Sequence, residues 1–146
     1  MRRRTFHRIV PLALIWLCIA TESNAGDDAY KVIINPDNPA ISLDRSFVRD
    51  AFLKKTTEWG DGKALRPVDL STKFPARDRF TQDVLRKSPS QLKSYWNQQI
   101  FSGKGVPPPE TDSTSAVIEY VLANPGAIGY LPASTDPGRA KVIKVN

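Results

Sequence analysis

Apolar residues recur along this chain at two spacings, and the changes from one to the other outline its elements. Both occur between Ser113 and Pro132. Val117, Ile118, Val121 and Leu122 follow the i, i+1, i+4, i+5 rhythm of one helical face. Asn124-Pro125-Gly126 closes that helix, because Pro125 has no N–H to donate and disfavours helical geometry at Asn124. Gly126 can take the left-handed conformation that such a stop often uses. Ala127 to Leu131 then reads as a short buried strand, in which Gly129 suits a close approach by another backbone or a ligand.

The same reading extends to the rest of the chain. Tyr30 to Ile34 is apolar and β-branched, a buried strand that runs into the turn Asn35-Pro36-Asp37-Asn38-Pro39. Asp44 is placed to cap the next helix and Leu43 to staple against Val48. Phe47, Val48, Ala51 and Phe52 form that helix's apolar stripe, with Arg49, Asp50 and Lys54 facing out. Trp59 to Gly62 is a turn. Leu65 to Leu70 is a second strand, in which Pro67 argues for an edge or a bulge. A helix begins near Pro75 and buries Phe80, Val84 and Leu85. Ser88-Pro89-Ser90-Gln91 carries the capping-box pattern, and the helix it opens places Leu92, Trp96 and Ile100 at i, i+4, i+8 before Gly103. Gly103 to Thr111, with three prolines, is an extended connector. Ala140 to Val145 is a terminal strand. The order predicts an α/β domain with a small, mostly parallel sheet flanked by helices, whose ligands would lie beyond the carboxyl ends of the strands.

The N-terminus changes what chemistry is available. Arg2, Arg3, Arg4 and Arg8 precede an apolar run from Ile9 to Ala20, and Ser23-Asn24-Ala25 supplies small residues for cleavage. That is the pattern of a secretory signal peptide over residues 1–25, and the run is too short to span a membrane. Arg3-Arg4-Thr5-Phe6 hints at a twin-arginine signal, but His7 departs from it and general secretion is expected. Leu17 before Cys18 argues against a lipid anchor. Cleavage after Ala25 removes the single cysteine, Cys18, and the single histidine, His7. The domain over residues 26–146 then has no disulfide, thiolate nucleophile, Cys/His metal site or histidine base. Its 17 basic and 14 acidic residues leave a net charge near +3 rather than +6, so nucleic acid is not an expected partner. A periplasmic or secreted bacterial protein is expected, without cofactor or metal.

Four stretches carry a family resemblance. Asn124-Pro125-Gly126-Ala127-Ile128-Gly129-Tyr130 follows an amphipathic helix. Upstream come Ser42 to Leu53, then Thr57-Glu58-Trp59-Gly60-Asp61-Gly62, then Arg66-Pro67-Val68-Asp69. In order and spacing these resemble the helix, tryptophan turn, strand and late helix–strand unit of phosphate-type ABC-transporter solute-binding proteins, in the type 2 periplasmic binding protein superfamily. The resemblance covers residues of about 30 to 132. It implies a non-enzymatic protein that binds a small anion such as phosphate beside an ABC permease or another envelope protein. Members have two lobes closing on ligand, whereas this chain is long enough for a single lobe, and two copies could pair to complete a cleft. In the phosphate binders the strand resembling Arg66–Asp69 leads to a Ser-Gly-Thr at the next helix start. Here that stretch is Phe74-Pro75-Ala76-Arg77, without small residues and with one N–H donor fewer.

Three polar segments follow strands or open helices: Asn35 to Asn38; Ser71, Thr72 and Lys73 with Arg77; and Ser113, Thr114 and Ser115. Free helix N–H groups, hydroxyls and a cation can hold an anion without metal, so Asn35, Ser71, Thr72, Arg77, Ser113 and Thr114 are the candidate ligand-binding residues. The same residue types also cap helices and fill turns with no ligand. Trp59 and Trp96 could stack on a sugar or base, but each lies in an apolar pattern that favours the core. Asp69 with Asp78, or Asp83 with Glu119, could pair for acid–base work, though no spacing brings them together. Arg77-Asp78-Arg79 and Arg86-Lys87 read as solvated faces. The alternative to solute binding is a ligand-free scaffold of the same fold that contacts an envelope protein.

Overall fold

The expected strand Tyr30–Ile34 is β1, and it lies at the centre of the sheet. The computed structural model describes residue 26 and residues 28–146; the leader expected over residues 1–25 lies outside them. After β1 come β2 (Ser42–Leu43), α1 (Arg45–Phe52), β3 (Arg66–Pro67) and β4 (Asp69–Leu70). Next are α2 (Pro75–Phe80), a π-helical turn (Thr81–Leu85) and α3 (Pro89–Phe101). The chain then forms β5 (Glu110–Thr111), α4 (Thr114–Ala123), β6 (Ala127–Pro132) and β7 (Lys141–Val145). Among the described residues no helix is long and apolar enough to cross a membrane.

Five strands form one sheet in the order β2-β7-β1-β6-β3. β2 runs parallel to β7 and β3 parallel to β6, while β1 is antiparallel to both β6 and β7. Four strands therefore share one direction and β1 alone opposes them, so the sheet is mixed rather than purely parallel. Element order could not show this, because it does not say between which strands the first one is inserted. Ile33, Ile34, Val48, Phe52, Val117, Val121, Ile128 and Leu131 are buried in a single core between the sheet and its helices.

The run Leu65–Leu70 is one extended segment shared between two sheets. Arg66 and Val68 donate their N–H groups to Gly126 and Ile128 of the β6 side, while Asp69 and Ser71 donate to Pro109 and Thr111 of the β5 side. Successive N–H groups of a strand point to opposite edges. Pro67, at the head of the β5-facing set, precedes β4's pairing with β5 and leaves no ladder bond unmade. The capping box is present at both ends: Gln91 N–H donates to Ser88 Oγ (3.2 Å) and Ser88 N–H to Gln91 Oε1 (2.8 Å).

Four expectations need correction. Asp44 has the extended geometry of a cap but makes no side-chain capping bond; the Arg45 N–H goes instead to the Asn146 carbonyl oxygen (3.0 Å), a partner no local pattern reveals. Ile100 does not continue the buried stripe of Leu92 and Trp96, being 52% exposed. Gly129 faces side chains, since a Cβ there would come within 2.9 Å of methyls of Val117 and Val68. Gly126 does not take a positive φ. Its role is steric: a Cβ would stand 1.9 Å from the Ala64 carbonyl oxygen. The Gly126 oxygen in turn accepts from Trp59 Nε1 and the Arg66 N–H, both at 2.9 Å, so this glycine joins the tryptophan turn to β6. Gly126→Ala is expected to cost about 1–3 kcal/mol, because backbone cannot rotate away as a side chain would. An unchanged urea midpoint would refute that role.

Candidate functional site

β4 and β5 pair in parallel, Asp69 opposite Glu110 and Leu70 opposite Thr111. Parallel pairing makes both strands end at the same edge, and each then enters a helix, α2 at Pro75 and α4 at Thr114. Ser71-Thr72-Lys73 and Asp112-Ser113-Thr114 are thereby brought alongside one another. The Ser71 N–H donates to the Thr111 oxygen (2.9 Å), and Lys73 Nζ pairs with Asp112 at 2.7 Å in the open. Ser113 caps α4, its Oγ accepting from the Ala116 N–H (3.3 Å) and sharing a hydrogen with Ser115 Oγ (2.6 Å). Lys73 above all holds the Asp112 carboxyl below its ordinary value.

Ser71 is only 4% exposed, and its hydroxyl, turned toward Asp112, completes no hydrogen bond of normal geometry among the described residues. A buried hydroxyl without a partner is destabilising and uncommon. It marks this edge as unfinished.

Arg77, in the first turn of α2, points back under the same edge. Nη1 donates to the Leu70 carbonyl oxygen and to Glu110 Oε2 (2.5 Å), and Nη2 lies 3.3 Å from Asp69 Oδ2. The Arg77 side chain is 15% exposed and that of Asp69 13%. Tyr130 donates its hydroxyl to Asp69 Oδ1. Burial raises the Asp69 pKa and Arg77 partly offsets it. Burial opposes the Arg77 charge, but Asp69 and Glu110 outweigh it and hold the guanidinium above its ordinary value. Burial, and then the Asp69 charge, push the Tyr130 phenol far up, so it remains a donor.

Of the six candidates, Ser71, Thr72, Arg77, Ser113 and Thr114 fall around the β4–β5 edge. Asn35 does not. It is buried, donates to the Val121 and Leu122 oxygens (2.9 and 3.3 Å) and accepts from the Asp37 N–H, closing the end of α4 onto the turn after β1. Trp59 and Trp96 are both buried in the core. Asp83 pairs with Arg79 at 2.8 Å on the surface rather than with Glu119. Sequence reasoning missed the Tyr130–Asp69–Arg77–Glu110 chain. One signal was present: Asp69 stands between Val68 and Leu70 in a buried strand, and a carboxylate so placed needs a partner.

This α/β fold matches a part, a little under half, of the periplasmic binding protein fold seen in structures of phosphate ABC transporter substrate-binding proteins. A structure from Clostridium perfringens, described as such a protein with bound phosphate, superposes with a TM-score of 0.62 at 21% identity, covering 81% of this chain and 45% of that one. An ABC-type phosphate transport receptor from Vibrio cholerae gives 0.60 at 17% identity, over 81% and 46% of the two chains. PstS from Borrelia burgdorferi gives 0.57 at 14%, over 82% and 47%. The chain thus spans a little under half the length of these structures. No protein-family model matches it, and no curated protein does.

Proposed function

We propose that this chain is an exported, non-enzymatic solute-binding-type protein whose ligand face is the β4–β5 edge, where it takes a small oxyanion such as phosphate. The leader over residues 1–25 would deliver it to the periplasm or medium, where an ABC permease or other envelope protein is its expected neighbour. The observation that carries the reading is the Ser71 hydroxyl, buried and unpartnered where two parallel strands end and two helices begin. Lys73 supplies a positive charge beside it, and the likeness to phosphate-binding structures supports the choice of anion. Binding is expected to be weak. Arg77 is already neutralised by Asp69 and Glu110, Asp112 shares Lys73, and one lobe encloses only half of what two would.

Ser71→Ala tests this with two opposed readouts. Without ligand the variant should be as stable as the parent or up to about 1 kcal/mol more stable, because an unsatisfied hydroxyl is removed. In calorimetry with phosphate and sulfate it should bind about ten- to hundredfold more weakly, the worth of one hydrogen bond to a charged group. Absence of heat from the parent protein at millimolar anion would overturn the reading. The scaffold alternative has its own support: Ile100, Phe101 and Val106 are exposed within one short stretch, Phe101 at 97%. Recovery of a stoichiometric envelope partner that is lost in Phe101→Ser would favour it.

A further inference from the structure

A second feature opens beside the same edge. α3 leans on the body through Leu92 and Trp96 but leaves a groove of about 440 Å³ between itself, α2 and the proline connector. Leu92, Trp96, Ile100 and Pro107 give it an apolar wall, and the Arg77–Glu110 pair lies in it. Lys93 and Asp78 also line it, one of each sign.

The two acids that hold Arg77 differ. Asp69 is buried and fixed by Tyr130, so it stays and keeps the guanidinium aimed. Glu110 is half exposed, with 49% of its side chain in solvent, and can swing away at little cost. If it does, Arg77 and Lys93 are left against Asp69 and Asp78, and an incoming acid takes the place that Glu110 held on Arg77. Exchanging one carboxylate for another on Arg77 is electrostatically near neutral, so an inorganic ion gains little there. A ligand gains only through what it buries against Trp96, Leu92 and Ile100.

We propose that this groove binds small organic acids with an apolar body, the acid group displacing Glu110 from Arg77 and the body lying along α3. The proposal goes beyond oxyanion binding at Ser71 and stands or falls separately from it. Glu110 acts as the resident competitor that sets affinity.

Hydrocinnamate, its neutral amide and inorganic phosphate are titrated against the protein while tryptophan emission is followed. Trp96 lines the groove, whereas Trp59 is buried in the turn against Gly126 and serves as background. Hydrocinnamate is expected to change the emission saturably, and its amide to bind about tenfold more weakly for want of the charge. Ile100→Asp alters an exposed residue and should leave folding intact; it is expected to weaken hydrocinnamate about tenfold by placing a charge on the apolar wall. Glu110→Gln is expected to tighten binding severalfold by removing the competing carboxylate. No saturable change, or one that neither variant alters, overturns the proposal. Calorimetry with phosphate on Ile100→Asp separates the two readings. Phosphate heat without hydrocinnamate binding refutes the groove and keeps the oxyanion site, and hydrocinnamate binding without phosphate heat does the reverse.

Discussion

Replacing Arg77 with alanine is expected to lower folding stability at neutral pH by about 3–5 kcal/mol, the cost of removing one member of a buried ion pair. For a domain of this size that corresponds to a fall in Tm of about 10–20 °C. The loss arises mainly at Asp69, which stays buried with no cation opposite it, and at the Leu70 carbonyl oxygen, which loses its donor. Glu110 contributes little because it is released into solvent. The deficit should depend on pH in a direction set by Asp69. Burial already raises its folded-state pKa, with Arg77 the chief offset; without Arg77 the value climbs further. Between the unfolded value of about 3.9 and that raised value, the folded state of the variant binds more protons than the unfolded state. Its stability therefore falls as pH rises through the window and is restored below it. Urea unfolding of parent and variant at pH 7 and near pH 4 checks both points. A deficit under about 1 kcal/mol at neutral pH, or one that grows on acidification, would show that the pair is not what holds this edge. Adding Asp69→Asn to the variant should recover much of the loss by removing the stranded charge.

Phe80→Ala is expected to cost about 3–5 kcal/mol, the range for truncating a fully buried aromatic. Phe80 stacks on Tyr130 with centroids 4.0 Å apart and planes 9° from parallel, and meets Phe52 at 4.8 Å and Tyr30 at 5.3 Å edge-on. It ends α2 where the π-helical turn begins, so it ties the helix bearing Arg77 to the strand bearing Tyr130. The loss should therefore reach the site as well as the core. Phe80→Leu keeps most of the volume and is expected to cost about half as much or less. Denaturant melts of the two variants check the order. Equal losses would mean that the aromatic stack, rather than the filled volume, is what matters here.

Local patterns were legible wherever a short-range physical cause acts. Ser88 and Gln91 satisfy each other's backbone across one helical turn, so four residues suffice to place the start of α3. Val117 and Val121 lie on one face of α4 because four residues make little more than one turn, and Pro125 stops that helix wherever it stands. The resemblance carried by Ser42–Leu53, Trp59 and Asn124–Tyr130 anticipated the fold, since it rested on several short stretches taken in order and spacing together. The site was legible only in part. Ser71, Thr72, Ser113 and Thr114 were singled out by their positions after strands and before helices. Arg77 was also named, but its immediate neighbours Asp78 and Arg79 suggested a solvated face, and its true partners lie eight positions earlier and 33 later along the chain.

From the amino-acid order alone came the α-helices, the longer strands and the absence of thiol or imidazole chemistry from residues 26–146, but not β2, β5 or the π-helical turn. These follow from backbone sterics, side-chain period and composition, which act within a few residues. Only the tertiary structure decided that β1 is inserted against the direction of its neighbours, and that β4 and β5 end side by side. It also decided that Ser71 is left unsatisfied while Arg77 is shared between a fixed and a movable acid. Each of those depends on which distant segments meet, and burial then sets how strongly every charge and hydroxyl there is felt.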